Sequence, residues 1–500
     1  MAATEVLIVG AGPTGLVLAC DLARRGVRCV VVEREDRLLP GSRGTGVQPR
    51  TQEVFEDLGV LDAVRAAGGP CQMMLSWDGE TRLRTWDLVE RRPSDPHVPY
   101  GEVLMLPQWR TAELLADRLA ELGGRIRYST ELTGLDQDAA GVTARLCRSG
   151  GSERSVRAAY LVGADGGRSA VRKAIGVALT GDVVDPSPAL VADVAVDGID
   201  RDHWHMWPDA EGGVFLLRPL EGTDLYQLVA RFDATYEAPD TGFDAVQRLI
   251  TRRTGQSCLR LRELAWVSVH RANAALADRF RSGRVFLAGD AAHIHTAAGG
   301  QGMNTSIQDA YNLGWKLERV LRHGAGDALL DTYEEERRPV AADVLGTSTR
   351  IHRSYRGSQR KANTRRGKDL QQLELGYRGG PLSLDLRPEV AEDALQAGDR
   401  APDAPCTDSS GRATRLFEVF QGPHATLLAF GGVPLPASAL DGSTVRAFRV
   451  GSPGDGADLI DTDGHVHSAY ARRGLFLVRP DGYVGLATMD PAAVEGYLRW

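Results

Sequence analysis

Cysteine, lysine and long apolar runs are what this chain has least of. Its six cysteines (Cys20, Cys29, Cys71, Cys147, Cys258, Cys406) are scattered, and no two stand in CxxC spacing. That excludes a zinc ribbon and a thioredoxin-type dithiol, and it leaves buried free thiols as the reading. No run approaches the roughly 18 apolar residues of a membrane span. The N-terminus enters EVLIVGAG without a basic leader or an apolar h-region, so a chain with no signal peptide, working in the cytoplasm, is expected. Only Lys173, Lys316, Lys361 and Lys368 are lysines among 59 basic residues, a compositional bias rather than an anion-binding device. With a formal charge of -7 and a pI near 5.9, no face is obviously basic, which argues against nucleic acid as a partner. His293 and His295 stand two apart with no third His, Cys or carboxylate cluster beside them. That is a poor metal site, so no metal is expected and the pair reads as scaffolding.

What is present is the composition of an ordinary globular protein, 43% hydrophobic and 25% charged, over 500 residues. That length suggests two or three domains. The stretch VLIVGAGPTGLVLACDLARRGVRCVVVERED reads as strand, glycine turn, helix and second strand, with Glu33 about 20 residues beyond the turn. Gly10, Gly12 and Gly15, with Pro13 and Thr14 between them, let backbone approach a pyrophosphate at the N-terminus of a helix. Glu33 closes the second strand, where a carboxylate accepts from ribose hydroxyls and disfavours a 2′-phosphate. ADP-ribose of FAD or NAD therefore fits better than NADP at this motif.

Two later motifs separate these readings. YLVGADGGRSAVR carries Asp165-Gly166 after a strand, with Arg168 and Arg172 following. GRVFLAGDAAHIHTAAGGQGMNTSIQDA again runs from a strand, through Asp290, into glycines and a helix read from about Asn304. Between the two, residues 185–270 alternate like antiparallel strands and carry little helical pattern. A charged stretch at 353–370 reads as solvated loop or exposed helix. Residues 400–500 show strand-like runs around a Pro-Asp-Gly turn, which suggests a separate small α/β domain.

In this order and at these separations, the three motifs resemble the class A FAD-dependent aromatic monooxygenases. The likeness covers at least residues 4–350 and is nearest to actinomycete aromatic polyketide hydroxylases and phenol-hydroxylase relatives. It implies an α/β chain: a Rossmann-like, GR2-type FAD-binding domain, an inserted mostly antiparallel β-sheet substrate domain, and a C-terminal thioredoxin-like domain without CxxC. The expected boundaries are 1–180 for the first FAD-binding part, with strands around 72–106 lent to the substrate domain, then 181–275 for that domain. Residues 276–390 return to the FAD-binding domain and its long helices, and 391–500 form the C-terminal domain.

The resemblance also implies roles. Gly10, Gly12, Pro13, Thr14 and Gly15 would hold the FAD pyrophosphate, Glu33 the ribose, and Arg34 and Leu132 the adenine. Gln108, Arg110, Asp165 and Asp290 would also contact FAD, and Gly300, Gln301, Gly302, Met303 and Asn304 would present N–H groups to the flavin. Reduced flavin carries negative charge at N1 and O2, which a helix N-terminus complements. Arg43, in GSRGTG, would stand near the reactive flavin. Ala297 would too, at a place where the family usually carries Pro; Ala adds an N–H there and frees φ. Trp77, Trp86, Met206, Trp207, Phe215, Leu217 and Tyr226 are the expected substrate lining, apolar enough to suggest a neutral polycyclic aromatic.

The implied activity is hydroxylation of an aromatic polyketide-like phenol or quinone by a flavin C4a-hydroperoxide, consuming O2 and NADPH or NADH, in a monomer or homodimer. A Baeyer–Villiger or ring-opening oxygenase on the same scaffold is one alternative. A flavin reductase or oxidase that forms no oxygen adduct is another, and a flavin-binding assembly subunit without turnover a third.

Overall fold

In the computed structural model, residues 4–91, 93, 95–235, 239–357, 367, 370–437 and 444–499 are described. The charged stretch 353–370 therefore lies largely outside the described residues.

The N-terminal apolar run forms the strand Thr4–Val9, flanked in parallel by Cys29–Val32 and Ser152–Gly163. Val285–Leu287 adds to the far side of Ser152–Gly163, also parallel, and Ile126–Arg127 pairs with Cys29–Val32. Their side chains are packed on both faces, as a parallel sheet between helices requires. Pro13 sits at the first turn of the helix Pro13–Arg24, where its missing N–H costs nothing. The helix Gly302–Arg322 crosses the same core and is buried for most of its length.

A second eight-stranded sheet is largely antiparallel. Its order is His293–Ile294, Arg260–Ala277, Leu179–Asp197, Tyr226–Arg231, Phe215–Pro219, His203–Trp207, Met73–Asp78, Thr81–Trp86. The hairpin 73–86 joins this sheet although it precedes the insertion in sequence, and the long strands Leu179–Asp197 and Arg260–Ala277 lead out of and back into the first domain. One face packs on the helix Phe243–Thr254. The opposite face looks toward the first, parallel sheet, and its Met74, Trp204 and Met206 pack on Leu88, Val89 and Met105.

The last unit is a third eight-stranded sheet, with Gly474–Val478 and Val484–Thr488 paired across the Pro480-Asp481-Gly482 turn. Cys406 is buried there, and burial raises its thiol to about 12. A thiol held protonated in this way is no redox nucleophile. The turn docks on the helices Pro49–Asp57 and Gly302–Arg322: Arg50 Nη2 donates to the Asp481 carbonyl (2.6 Å) and Trp315 Nε1 to its carboxylate (3.1 Å).

Candidate active site

The three motifs meet at the carboxyl ends of the parallel strands. A Cβ on Gly10 would stand 2.3 Å from the Ala164 carbonyl oxygen, so the first motif lies directly on the second. Thr14 packs on Gly289, whose φ is +62°. Arg172 ties the remaining pair, donating to the Ala291 and Gly167 carbonyls at 2.9 Å each.

Two helix N-termini open on this junction. Pro13–Arg24 begins at Gly12 and Gly302–Arg322 at Gln301, and at neither does the N-cap side chain accept from the helix's first N–H groups. Their first N–H groups are left for a ligand. A Cβ on Gly12 would meet nothing within 4 Å, so the backbone there faces open space. Asp290 lies deep in the fold yet is solvent-accessible, and has no hydrogen-bond partner among the described residues. Burial pushes its carboxyl up, and His293 and Arg43 pull it back down. A solvent-accessible carboxylate in the third motif, together with two free helix N-termini, suits a ligand with a pyrophosphate at one end and hydroxyls and a flat ring further along. The residues present fit FAD.

The expected cofactor residues are brought together, with several roles revised. Glu33 Oε2 accepts from Ala11 N at 2.8 Å, so the carboxylate also fixes the glycine turn. Arg34 is exposed beside Glu35, and Leu132 is sealed in the core. Gln108 locks Gly44, its Oε1 accepting from Gly44 N (3.0 Å) while its own N–H donates to Gly44 O (2.9 Å). Arg110 pairs with Glu113 at the surface, 2.8 Å away. Asp165 spends both oxygens on its own turn, accepting from Ser169 Oγ, Ala170 N and Val171 N. It shapes the motif, and its carboxylate is not directed at a ligand. The helix begins at Gly302, two residues before the expected Asn304.

The side chains of Gln301 and Asn304 also turn away from any cofactor. Gln301 Nε2 donates to Gly299 O and Leu370 O, each at 2.9 Å. Asn304 accepts from Gln48 N and donates to Gly46 O and Gly300 O, all at 2.9 Å. Gly300, Gly302 and Met303 are left at the helix start with their backbone.

The aromatic substrate lining is corrected more sharply. Trp77, Trp207, Phe215, Leu217 and Tyr226 belong to the core between the second sheet and the helix Phe243–Thr254, on the face away from the cofactor junction. Trp86 and Met206 are on the other face, packed beside Cys71, Leu88 and Met105. Strand side chains alternate, so bulk alone does not mark the inner face, and five of the seven expected residues lie on the outer one. The face toward the junction carries three cross-strand rows, read from the register: Arg231–Ala189–His270, Val229–Val191–Ser268 and Gln227–Asp193–Trp266. It is therefore not the low-charge lining expected. Burial, Arg231 and Arg43 push the His270 imidazole down. The exposed Arg43 guanidinium lowers both the His270 imidazole and the Asp290 carboxyl, so its charge bears on the sheet and on the third motif alike.

The histidine pair is part of a buried chain. His295 Nε2 lies 2.8 Å from His293 Nδ1, and His293 Nε2 lies 2.5 Å from Asp309 Oδ2. Asp309 also accepts from Arg337 Nε (2.8 Å) and Gly289 N (3.0 Å), which anchors the third motif to the helix behind it. No metal-binding group of His, Cys, Asp and Glu exists among the described residues. Asp309, Asn312 and Lys316 were passed over in sequence; their spacing marks a polar stripe on a buried helix, a signal that was readable.

The fold and the junction define an FAD-binding protein built on three large sheets, the third of which carries the single buried thiol of Cys406. Comparison with known proteins makes this specific. Residues 3–348 match the family described as FAD binding domain, and residues 395–499 match the aromatic-ring hydroxylase C-terminal domain. A flavin-dependent monooxygenase of Mycobacteroides abscessus is 44% identical, with 99% of each chain covered. A 12-dehydrotetracycline 5-monooxygenase/anhydrotetracycline 6-monooxygenase of Streptomyces rimosus is 36% identical over 98% of this chain and 97% of its own. The structure of aklavinone-11 hydroxylase, solved with FAD and aklavinone, superposes with a TM-score of 0.84 at 31% identity, covering 99% of this chain and 98% of that one. The chain belongs to the FAD-binding aromatic-ring hydroxylases and is an FAD-dependent monooxygenase. Among the described residues, no helix is long and apolar enough to cross a membrane.

Proposed function

We propose that this enzyme hydroxylates a polycyclic aromatic polyketide, with NADPH or NADH as electron donor and O2 as oxygen source. The observation that carries the reading is the inner face of the second sheet. Val229, Val191 and Leu216 offer a flat apolar floor, closed at one end by Gln227 and Asp193 and at the other by Arg231 and His270. Such a floor suits a planar fused-ring ligand whose phenolic or carbonyl edge meets the charged rim. The full-length relatives named for tetracycline and aklavinone substrates support the same class.

When bound, reduced FAD supplies the activated oxygen, one atom going to the substrate and the other leaving as water. The chain's part is placement. The N–H groups at Gly12 and Gly302 complement negative charge on the cofactor, Asp290 accepts from its hydroxyls, and the sheet holds the ring above and limits water. Gly12, Pro13, Thr14, Gly15, Glu33, Asp290, Gly300, Gly302 and Met303 are the proposed cofactor contacts, and Arg43 the proposed residue between cofactor and substrate. We read the protein as a cytoplasmic monomer or homodimer.

The test is incubation with NAD(P)H and a panel of anthracyclinones and naphthacenes under labelled dioxygen. Incorporation of one labelled atom into a ring hydroxyl is expected. Label in a lactone would assign the Baeyer–Villiger outcome, and pyridine-nucleotide oxidation with unlabelled product would sink oxygen transfer.

A further inference from the structure

We propose that Asp193 and Gln227, which lie outside all three flavin motifs, are positioning residues for the flavin-side loop 41–46, acting through Ser42. Asp193 Oδ2 accepts from both Ser42 N and Ser42 Oγ at 2.9 Å each. Gln227 Nε2 donates to the Ser42 carbonyl. Every polar group of Ser42 is thus taken by one cross-strand row of the substrate sheet. Trp266, from the same row, covers Gly41: a Cβ there would stand 2.2 Å from the indole, and φ is +96°, so only glycine admits this contact.

The other end of the loop is fastened to the cofactor side. Gly44 is held by Gln108 and packs on Met303, and Asn304 bonds Gly46 O and Gln48 N. Arg43 is the exposed residue between these two anchorages, and it acts on Asp290 and His270 alike. The Ser42 anchor therefore sets where that guanidinium stands relative to the flavin junction. The neighbouring row, Val229–Val191–Ser268, is the proposed substrate floor, so the anchor borders both sites.

A purely structural anchor would be cheaper with a neutral acceptor. Asp193 Oδ1 is buried without a partner among the described residues. Burial raises the carboxyl to about 6 against the two Ser42 bonds. The charged group bonded to the same row is Arg218, whose Nη2 donates to Gln227 Oε1. Protonation near that pH weakens both acceptor bonds at once and loosens the loop. The inference rests on FAD binding and does not depend on the substrate class proposed above.

The experiment follows the visible absorption and circular dichroism of FAD bound to the full-length holoenzyme across about pH 5 to 8, with the rate of anaerobic reduction by NAD(P)H as second readout. The wild type is expected to show a spectral transition near pH 6 that Asp193→Asn lacks. Gln227→Leu, which frees the Ser42 carbonyl, should keep the transition while slowing reduction about 10-fold, as small misplacements do. Ser42→Ala should give a weaker version of the Asp193→Asn effect and serves if that variant folds poorly. The same transition in Asp193→Asn, or no transition in the wild type, overturns the proposal. So do unchanged spectra and rates in variants that lose only thermal stability.

Discussion

Arg479 of the third sheet and Glu336 of the helix Ala328–Gly357 form a two-pronged buried ion pair, Nη1–Oε1 at 2.6 Å and Nη2–Oε2 at 3.0 Å. Lys316 Nζ reaches the same carboxylate at 2.7 Å, and Arg479 also holds Asp481. The C-terminal domain is thereby keyed to the helix that starts at the flavin junction. Removing one partner of a buried pair strands the other, at about 3–5 kcal/mol. Arg479→Met is expected to lower stability by about that amount in urea denaturation and to speed proteolysis near residues 390–400. A loss under about 1 kcal/mol would mean that the domains dock without this pair.

The glycines of the first motif have separable jobs. A Cβ on Gly10 or Gly15 would overlap the Ala164 or Gly10 carbonyl oxygen, at 2.3 and 2.1 Å. Gly10→Ala and Gly15→Ala are expected to destabilise the apoprotein by about 1–3 kcal/mol. Gly12→Val should leave apoprotein melting unchanged, since its Cβ meets no protein atom, yet weaken FAD at least about 10-fold in a fluorescence titration. Undiminished FAD affinity in Gly12→Val would remove the pyrophosphate from this turn.

These glycines were legible because the chemistry is local: strand, turn and helix are contiguous, and the backbone conformation is dictated over a few residues. The same holds for the Pro-Asp-Gly hairpin and the isolated Cys406. The substrate face was not legible, because a strand alternates faces and bulk alone does not say which face is the core; here Trp207, Phe215 and Tyr226 are core. Asp193 and Gln227 are 151 and 185 positions from Ser42, so no window of sequence contains the contact. Gln301 and Asn304 sat at the expected place, but their side chains satisfy buried carbonyls rather than a ligand.

Asp309 makes acid stability a readout of the His293 anchor. Burial alone would raise its carboxyl, but His293 and Arg337 carry it down to about 2. A carboxyl depressed in the fold contributes stability that is complete above its unfolded value, near 4, and is lost as pH falls through 4 toward 2. The contribution is about 2 kcal/mol for a shift of this size. Urea denaturation from about pH 2 to 6 should show this limb in the wild type and not in Asp309→Asn. Parallel curves for the two proteins would assign the acid limb to other groups.

Ala297 is already shaped for the proline it lacks. Its φ of -67° lies within the proline range, the preceding Thr296 is outside any helix, and the Ala297 N–H has no partner among the described residues. Ala297→Pro therefore loses no hydrogen bond and restricts mainly the unfolded chain, so a gain of about 0.4–1 kcal/mol in denaturation is expected. Its carbonyl accepts from Gly300 N at 3.3 Å, a long bond just ahead of the helix start. Stiffening it should raise the fraction of NAD(P)H oxidation that ends in hydroxylated product, measured as product formed against NAD(P)H consumed. A stability gain with unchanged coupling would show that this residue tunes the fold and leaves oxygen transfer alone.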